Sequence, residues 1–170
     1  LTLLCLPMIG FGQPTVNIPD ANFKASLVVN PNINTNGDAE IQVSEATLFN
    51  GSLYCSNLNI AELTGIEAFT ALTTLVCTNN QITSLDVSQN TALTWLNCED
   101  NQLTNLDVSG ATVLTHLYCY NNQLTSLDVS QNTALTVLNC VNNQITSLDL
   151  SQNTALTVLN CENNQLTSLD

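Results

Sequence analysis

Apolar and polar positions recur along most of this chain with a fixed period. Aligned on Leu93, the pattern runs Leu93-Thr94-Trp95-Leu96-Asn97-Cys98-Glu99-Asp100-Asn101-Gln102-Leu103, or L-x-x-L-x-C-x-x-N-x-L. It is centred in turn on Cys55, Cys77, Cys98, Cys119, Cys140 and Cys161, the first copy irregular with Leu58 in the Asn position, the first interval being 22 residues and the others 21. The stretch Leu127 to Ser147, LDVSQNTALTVLNCVNNQITS, returns from Leu85, Leu106 and Leu148 with few changes. A period of this length marks a solenoid, in which each coil packs only on its neighbours.

Within one coil, the alternation over Thr94 to Glu99 predicts a short strand. Leu96 and Cys98 point inward, and Trp95, Asn97 and Glu99 point outward. Stacked coils put equivalent strands about 4.8 Å apart in a parallel sheet. Twenty-one residues leave no length for a full helix on the return path. LDVSQNTA must therefore come back through turns and short extended pieces, a task suited to Thr, Asn, Ser and Asp because their side chains bond nearby backbone. The expected fold is a repeat solenoid: a right-handed superhelix with one parallel concave β-sheet, a convex side of turns and short extended segments, and a small helical N-terminal cap.

Three polar or reactive columns follow from the period. Asn80, Asn101, Asn122, Asn143 and Asn164 face inward and should bond backbone groups of the bend, since an unpaired buried amide costs about 1–3 kcal/mol. The cysteines are expected to be buried free thiols acting as small hydrophobes. In-register strands hold Cβ atoms about 5 Å apart, beyond the 3.5–4.5 Å of a disulfide, and no CxxC pair or His partner completes a zinc set. Asp86, Asp107, Asp128, Asp149 and Asp170 also stack. The expected arrangement is an Asx-type turn with the following Ser, the alternative being a cation ladder, because unbonded like charges repel.

Ahead of the repeats, Leu1 to Gly12 has the apolar run and the Gly-Phe-Gly ending of a partial signal peptide, which would take Cys5 with it. Residues 13–52 read as the cap. Asp20 should cap a short helix carrying Phe23 and Leu27 on one face, with Pro31 ending it. Asn34 to Glu45, NTNGDAEIQVSE, matches a twelve-residue EF-hand-like loop. Asn34, Asn36 and Asp38 fall at positions 1, 3 and 5, Glu40 offers its carbonyl at 7, Gln42 sits at 9 and Glu45 at 12. The departures are a neutral Asn at position 1 and Ala39 where Gly is preferred, so any calcium would bind weakly. The other reading is a polar loop whose Ser44 caps the next helix. Residues 53–170 are then about six coils; with no initiator Met and a last copy that breaks off, the sequence reads as a fragment.

The net charge of −13, with Lys24 the single basic residue, excludes nucleic acid, whose binding needs Lys and Arg to displace counterions. It also disfavours anionic membrane surfaces, and no membrane insertion is expected after signal cleavage. One His, no nucleophile elbow and no metal cluster leave nothing from which to assemble a catalytic site.

The repeated L-x-x-L-x-C-x-x-N-x-L resembles the leucine-rich-repeat signature, with Cys in the third Leu position. The short coils and the connection Leu63 to Leu72, LTGIEAFTAL, resemble bacterial internalin-like leucine-rich-repeat proteins. IPDANF and an acidic loop ahead of LDVSxNTAL coils are similar to secreted proteins of Bacteroidota, which often end in a type IX secretion sorting domain not seen in this sequence. The resemblance implies secretion or surface display and binding of a protein or ligand, not an activity.

The coils differ most at the outward strand positions. One column runs Thr74, Trp95, His116, Val137, Val158; the next Val76, Asn97, Tyr118, Asn139, Asn160; the third Thr78, Glu99, Tyr120, Val141, Glu162. Trp95, Glu99, His116, Tyr118 and Tyr120 should therefore gather on the concave sheet as a surface for a protein or glycan. Two readings compete with it: cross-strand pairs that only stiffen the sheet, and a stalk that presents another domain.

Overall fold

The computed structural model describes residues 13–169. Two helices come first, α1 (Ala21–Val28) and α2 (Val43–Leu48). The strands β1 (Ser52–Tyr54), β2 (Thr74–Val76), β3 (Ser84–Asp86), β4 (Trp95–Asn97), β5 (Asn105–Asp107), β6 (His116–Tyr118), β7 (Val137–Asn139), β8 (Ser147–Leu148), β9 (Val158–Asn160) and β10 (Ser168–Leu169) follow, with one 3₁₀ turn, Ile66–Ala68, between β1 and β2. The signal-peptide segment, Cys5 and Asp170 lie outside the described residues.

The sheet expected from the period is present. Strands β1-β2-β4-β6-β7-β9 pair in that order, all parallel. Leu53, Leu75, Leu96, Leu117, Leu138 and Leu159 stand in one register row. The first five are buried, with Cys55, Cys77, Cys98, Cys119 and Cys140 beside them, so the core is a seam running the length of the stack. The return path adds two small parallel ladders, β3–β5 and β8–β10. They are the short extended pieces the coil length predicts, and they are interrupted at Leu127-Asp128.

Gly110 lies beside this interruption. A Cβ built there would lie 1.7 Å from the backbone oxygen of Ser88, so the Cys98 coil leans onto the Cys77 coil at that point. On its other side a groove of about 300 Å³ opens toward the Cys119 coil, between Asn105–Ser109 and Asp128 and Gln131.

The inward asparagines do what their burial requires. Asn101 takes the Ile82 N–H on Oδ1 (3.1 Å) and donates from Nδ2 to the carbonyls of Cys77 (3.0 Å), Cys98 (3.1 Å) and Glu99 (3.1 Å). Each coil repeats the scheme, so one amide ties its own bend to the coil before it. A second buried column was not anticipated. Asn90, Asn132 and Asn153 donate to carbonyls of the preceding coil, as Asn132 does to Val108 (2.9 Å) and Ala111 (2.8 Å). The equivalent position in the Cys98 coil is Ala111, which has nothing to donate.

A third row lies in the tight turn after each cysteine. Asn79, Asp100, Asn121, Asn142 and Asn163 have φ of +53° to +54°, a left-handed conformation that Asn and Asp tolerate better than other non-glycine residues. Asn121 donates to Asp100, Asn142 to Asn121 and Asn163 to Asn142, each at 2.7 Å. Asp100 accepts but has no proton to pass on, so this amide row starts anew at it.

The aspartate column forms the expected turns. Asp86, Asp107, Asp128 and Asp149 accept the N–H of Ser88, Ser109, Ser130 and Ser151 at 2.8–2.9 Å. The backbone bond from Ser130 holds the Asp128 carboxyl below its ordinary range, and that from Ser151 does the same for Asp149.

In the cap, Asp20 accepts from Asn22 and Phe23 as helix cap, and Phe23 and Leu27 are buried. Its second oxygen takes the Ala61 N–H at 2.8 Å, which moors the cap to the first coil. Ser44 does not cap α2. Its hydroxyl donates to Gln13, while Gln42 is the N-cap residue and its N–H goes to Glu45 (3.0 Å). A carboxylate three residues into the helix reaches back to that N–H more readily than a short hydroxyl already inside the first turn.

All six described cysteines are free, five of them buried and Cys161 half-buried. Burial pushes the thiols of Cys55 and Cys140 up to about 12 and those of Cys77, Cys98 and Cys119 well above their ordinary value. Reaction needs the thiolate. A disulfide reagent at pH 8 should therefore modify the five buried thiols only when the protein unfolds, Cys161 alone of the six described cysteines reacting in the native state. Rapid native labelling of several thiols would show that the seam is open.

Candidate binding face

Each outward residue of the large sheet is aimed by the buried Leu and Cys on either side of it. A second device fixes the edge where the strands begin. Thr94 donates its hydroxyl to the Thr73 carbonyl (3.0 Å), Thr115 to Thr94 (2.9 Å), Thr136 to Thr115 (3.0 Å) and Thr157 to Thr136 (3.1 Å). The Thr115 hydroxyl also lies 2.9 Å from His116 Nδ1, which ties the imidazole to this row.

The structure brings the predicted aromatic residues together. In-register pairing sets Trp95 beside His116 and Asn97 beside Tyr118. The rings of Trp95 and His116 stack with centroids 4.3 Å apart and planes 19° apart. Tyr118 lies 5.3 Å from Trp95 at 35° and 6.4 Å from His116 at 26°. All three remain half-buried, as do Tyr120 and Glu99. Burial, with the neighbouring Glu99 as hydrogen-bond partner and as charge and Asp100 as a further charge, pushes the Tyr120 phenol up to about 12. Tyr54 stands apart on β1, 68% exposed. Beyond the aromatics the face becomes plain, with Val137 and Asn139 on β7 and Val158 and Asn160 on β9.

The acidic loop is a second cluster, and it is knit by its own hydrogen bonds. Asp38 accepts from Glu40 N (2.8 Å) and from the side-chain amides of Asn36 and Gln42 (both 2.9 Å). Glu45 accepts from Thr35 N (2.8 Å), the Thr35 hydroxyl (3.0 Å), Asn36 N (3.2 Å) and Gln42 N. Asn34 is buried, its amide donating to Val28 and Asp38 carbonyls, and the Glu40 carboxylate pairs with Lys24 at 2.7 Å. Burial opposes the charge of Glu45, but these donors outweigh it and hold the carboxyl below its usual range. Asn36, Asp38, Gln42 and Glu45 thus converge, whereas Asn34 and the Glu40 carboxylate turn elsewhere. A calcium ion would have to displace the internal bonds. Among the described residues, no three His, Cys, Asp or Glu side chains gather at metal-binding distance.

The fold and its repeated signature define a leucine-rich-repeat solenoid. Residues 38–153 match the family described as the endo-beta-N-acetylglucosaminidase EndoS LRR domain, and the chain belongs to that family. It is 49% identical over 73 residues to Internalin J of Listeria monocytogenes serotype 4b (strain F2365), a match covering 42% of this chain and 8% of that protein. The solved functional domain of InlJ from Listeria monocytogenes, described as including a cysteine ladder, superposes with a TM-score of 0.60 at 39% identity, covering 89% of this chain and 43% of that one. A leucine-rich-repeat protein of Leptospira interrogans gives 0.59 at 29% identity, over 72% of this chain and 32% of that chain. The ectodomain of the Arabidopsis thaliana receptor kinase SOBIR1, at 18% identity and a TM-score of 0.59 over 69% of this chain and 71% of that chain, shares the fold alone. This chain thus spans less than half the length of the internalin relatives it matches.

Proposed function

We propose that this chain is a secreted or cell-surface binding module that recognises a protein or glycan through the large sheet, with Trp95, His116, Tyr118, Tyr120 and Glu99 as the contact residues. The observation that carries the reading is the ring stack. Three aromatic rings are ordered side by side on a face where the flanking strands β2, β7 and β9 place Thr, Val or Asn. Trp and Tyr on rigid strands give large contact area at little entropic cost, which makes them the usual anchors of binding surfaces. Kinship with internalins and the apolar first twelve residues support display outside the cell.

A glycan array and an immobilised protein panel, probed with the same chain, separate the partner classes. Trp95→Ala should weaken the real interaction about tenfold, whereas Val158→Ala, at the plain end of the sheet, should leave it unchanged. Binding insensitive to Trp95 and Tyr118 would instead favour the stalk, for which the near-identical coils carrying β7 and β9 are the supporting observation.

A further inference from the structure

We infer that the occupant of this face is a protein surface presenting arginine or lysine side chains, an inference that rests on the reading of the ring stack as the ligand surface. Three features of the face point to a basic partner.

The first is charge. Fourteen acidic residues stand against one basic residue, and that one, Lys24, is engaged by Glu40 in the cap. The outward residues of the sheet include Glu99 and Glu162, with Asp100 in the adjoining turn, and no cation. Such a field draws basic partners in and repels acidic ones.

The second is the carboxylate that the rings surround. Glu99 accepts only, and Asn97 spends its Oδ1 on the Glu99 N–H (3.1 Å). Guanidinium and ammonium groups bring a positive charge together with donors to such a carboxylate, which a neutral sugar does not.

The third is the free ring face. His116 covers one face of Trp95. The other looks over β2, where the paired residue is Thr74, a small side chain. Tyr54 stands on the strand beyond it. A planar guanidinium laid on that open indole face gains the cation–π attraction that Trp provides best, while a second basic side chain can reach Glu99 beside Tyr118 and Tyr120.

Trp95 is the chain's single tryptophan, so its emission reports this face alone. The chain is titrated with an acetylated Arg-Gly-Arg amide, with the same peptide carrying citrulline for arginine, and with N-acetylglucosamine tetramer. The arginine peptide should change Trp95 emission saturably. Its affinity should fall about tenfold with citrulline or in Tyr118→Ala, fall about threefold in Glu99→Gln, and decline as salt rises from 0.05 to 0.3 M. Circular dichroism checks that both variants stay folded. Binding of the neutral tetramer with no preference for arginine over citrulline overturns the inference but keeps the face as a glycan surface. Emission unmoved by every probe, or moved equally in Tyr118→Ala, overturns the inference and the reading beneath it.

Discussion

Replacing Asn122 by Leu should lower stability by about 3 kcal/mol and the melting temperature by roughly 10 °C. Leucine is close in size and more apolar, so a reading based on burial alone expects a gain. The hydrogen bonds decide otherwise. Asn122 accepts the Leu103 N–H at 2.9 Å and donates to the carbonyls of Cys98 (3.1 Å), Cys119 (3.1 Å) and Tyr120 (3.2 Å). Leucine strands that N–H in a buried setting and strips a partner from three carbonyls. The stranded N–H costs about 1–3 kcal/mol and each of the three other lost bonds about 0.5–1.5 kcal/mol, the carbonyls keeping Asn101, Asn143 and the Asp100 N–H as partners, against about 1–2 kcal/mol returned by the extra apolar area. The bonds also join two coils, so the loss cannot be confined to one turn. Gln123→Leu, at the exposed neighbouring position, should stay within about 0.5 kcal/mol. Urea or thermal melts of the two variants decide the matter: an unchanged Asn122→Leu melt would mean that the amide ladder contributes nothing.

The sheet and the inward Leu and Cys rows were legible because they repeat at or beside a strand, where period two dictates which side chains face in; the Asn122 ladder lies in the bend and was legible from the coil period alone. The ring stack was legible for the opposite reason, as a departure from the repeat at outward positions. The return path was harder to read. Asn90, Asn132 and Asn153 sit in QNT segments that look like ordinary exposed turn, and no alternation marks their facing. The one signal is Ala111: a small apolar residue can replace asparagine in a third coil more readily at a site turned away from water. The left-handed row from Asn79 to Asn163 carried a similar signal, since only Asn or Asp occupies it. Capping of α2 by Gln42 and Glu45 rather than Ser44 depended on how Glu45 reaches back across the loop, which spacing alone does not reveal.

Gly110→Ala should cost about 3 kcal/mol, a large effect for one methyl group. Gly110 does not have the positive φ that makes glycine obligatory; its requirement is space. The new Cβ would meet the Ser88 oxygen at 1.7 Å, its carbonyl carbon at 2.6 Å and its Cα at 3.0 Å, all backbone atoms that cannot rotate away. The two return paths must part by roughly 1.5 Å to reach ordinary contact, which strains the 2.9 Å bond from Val87 N to Asp107 O and loosens the core around the buried Val87 and Val108. The neighbouring coils show how the molecule accommodates a side chain there. They carry Gln-Asn in place of Gly110-Ala111, and the asparagine donates to two carbonyls of the coil before it. By equivalence, an asparagine at 111 would donate to Val87 and Asn90 carbonyls and hold the path as it does in the other coils. The double variant Gly110→Gln/Ala111→Asn should therefore be less destabilised than Gly110→Gln alone, with a coupling of about 1–2 kcal/mol between the two sites. Additive losses in that cycle would show that the close approach at Gly110 is independent of the missing asparagine.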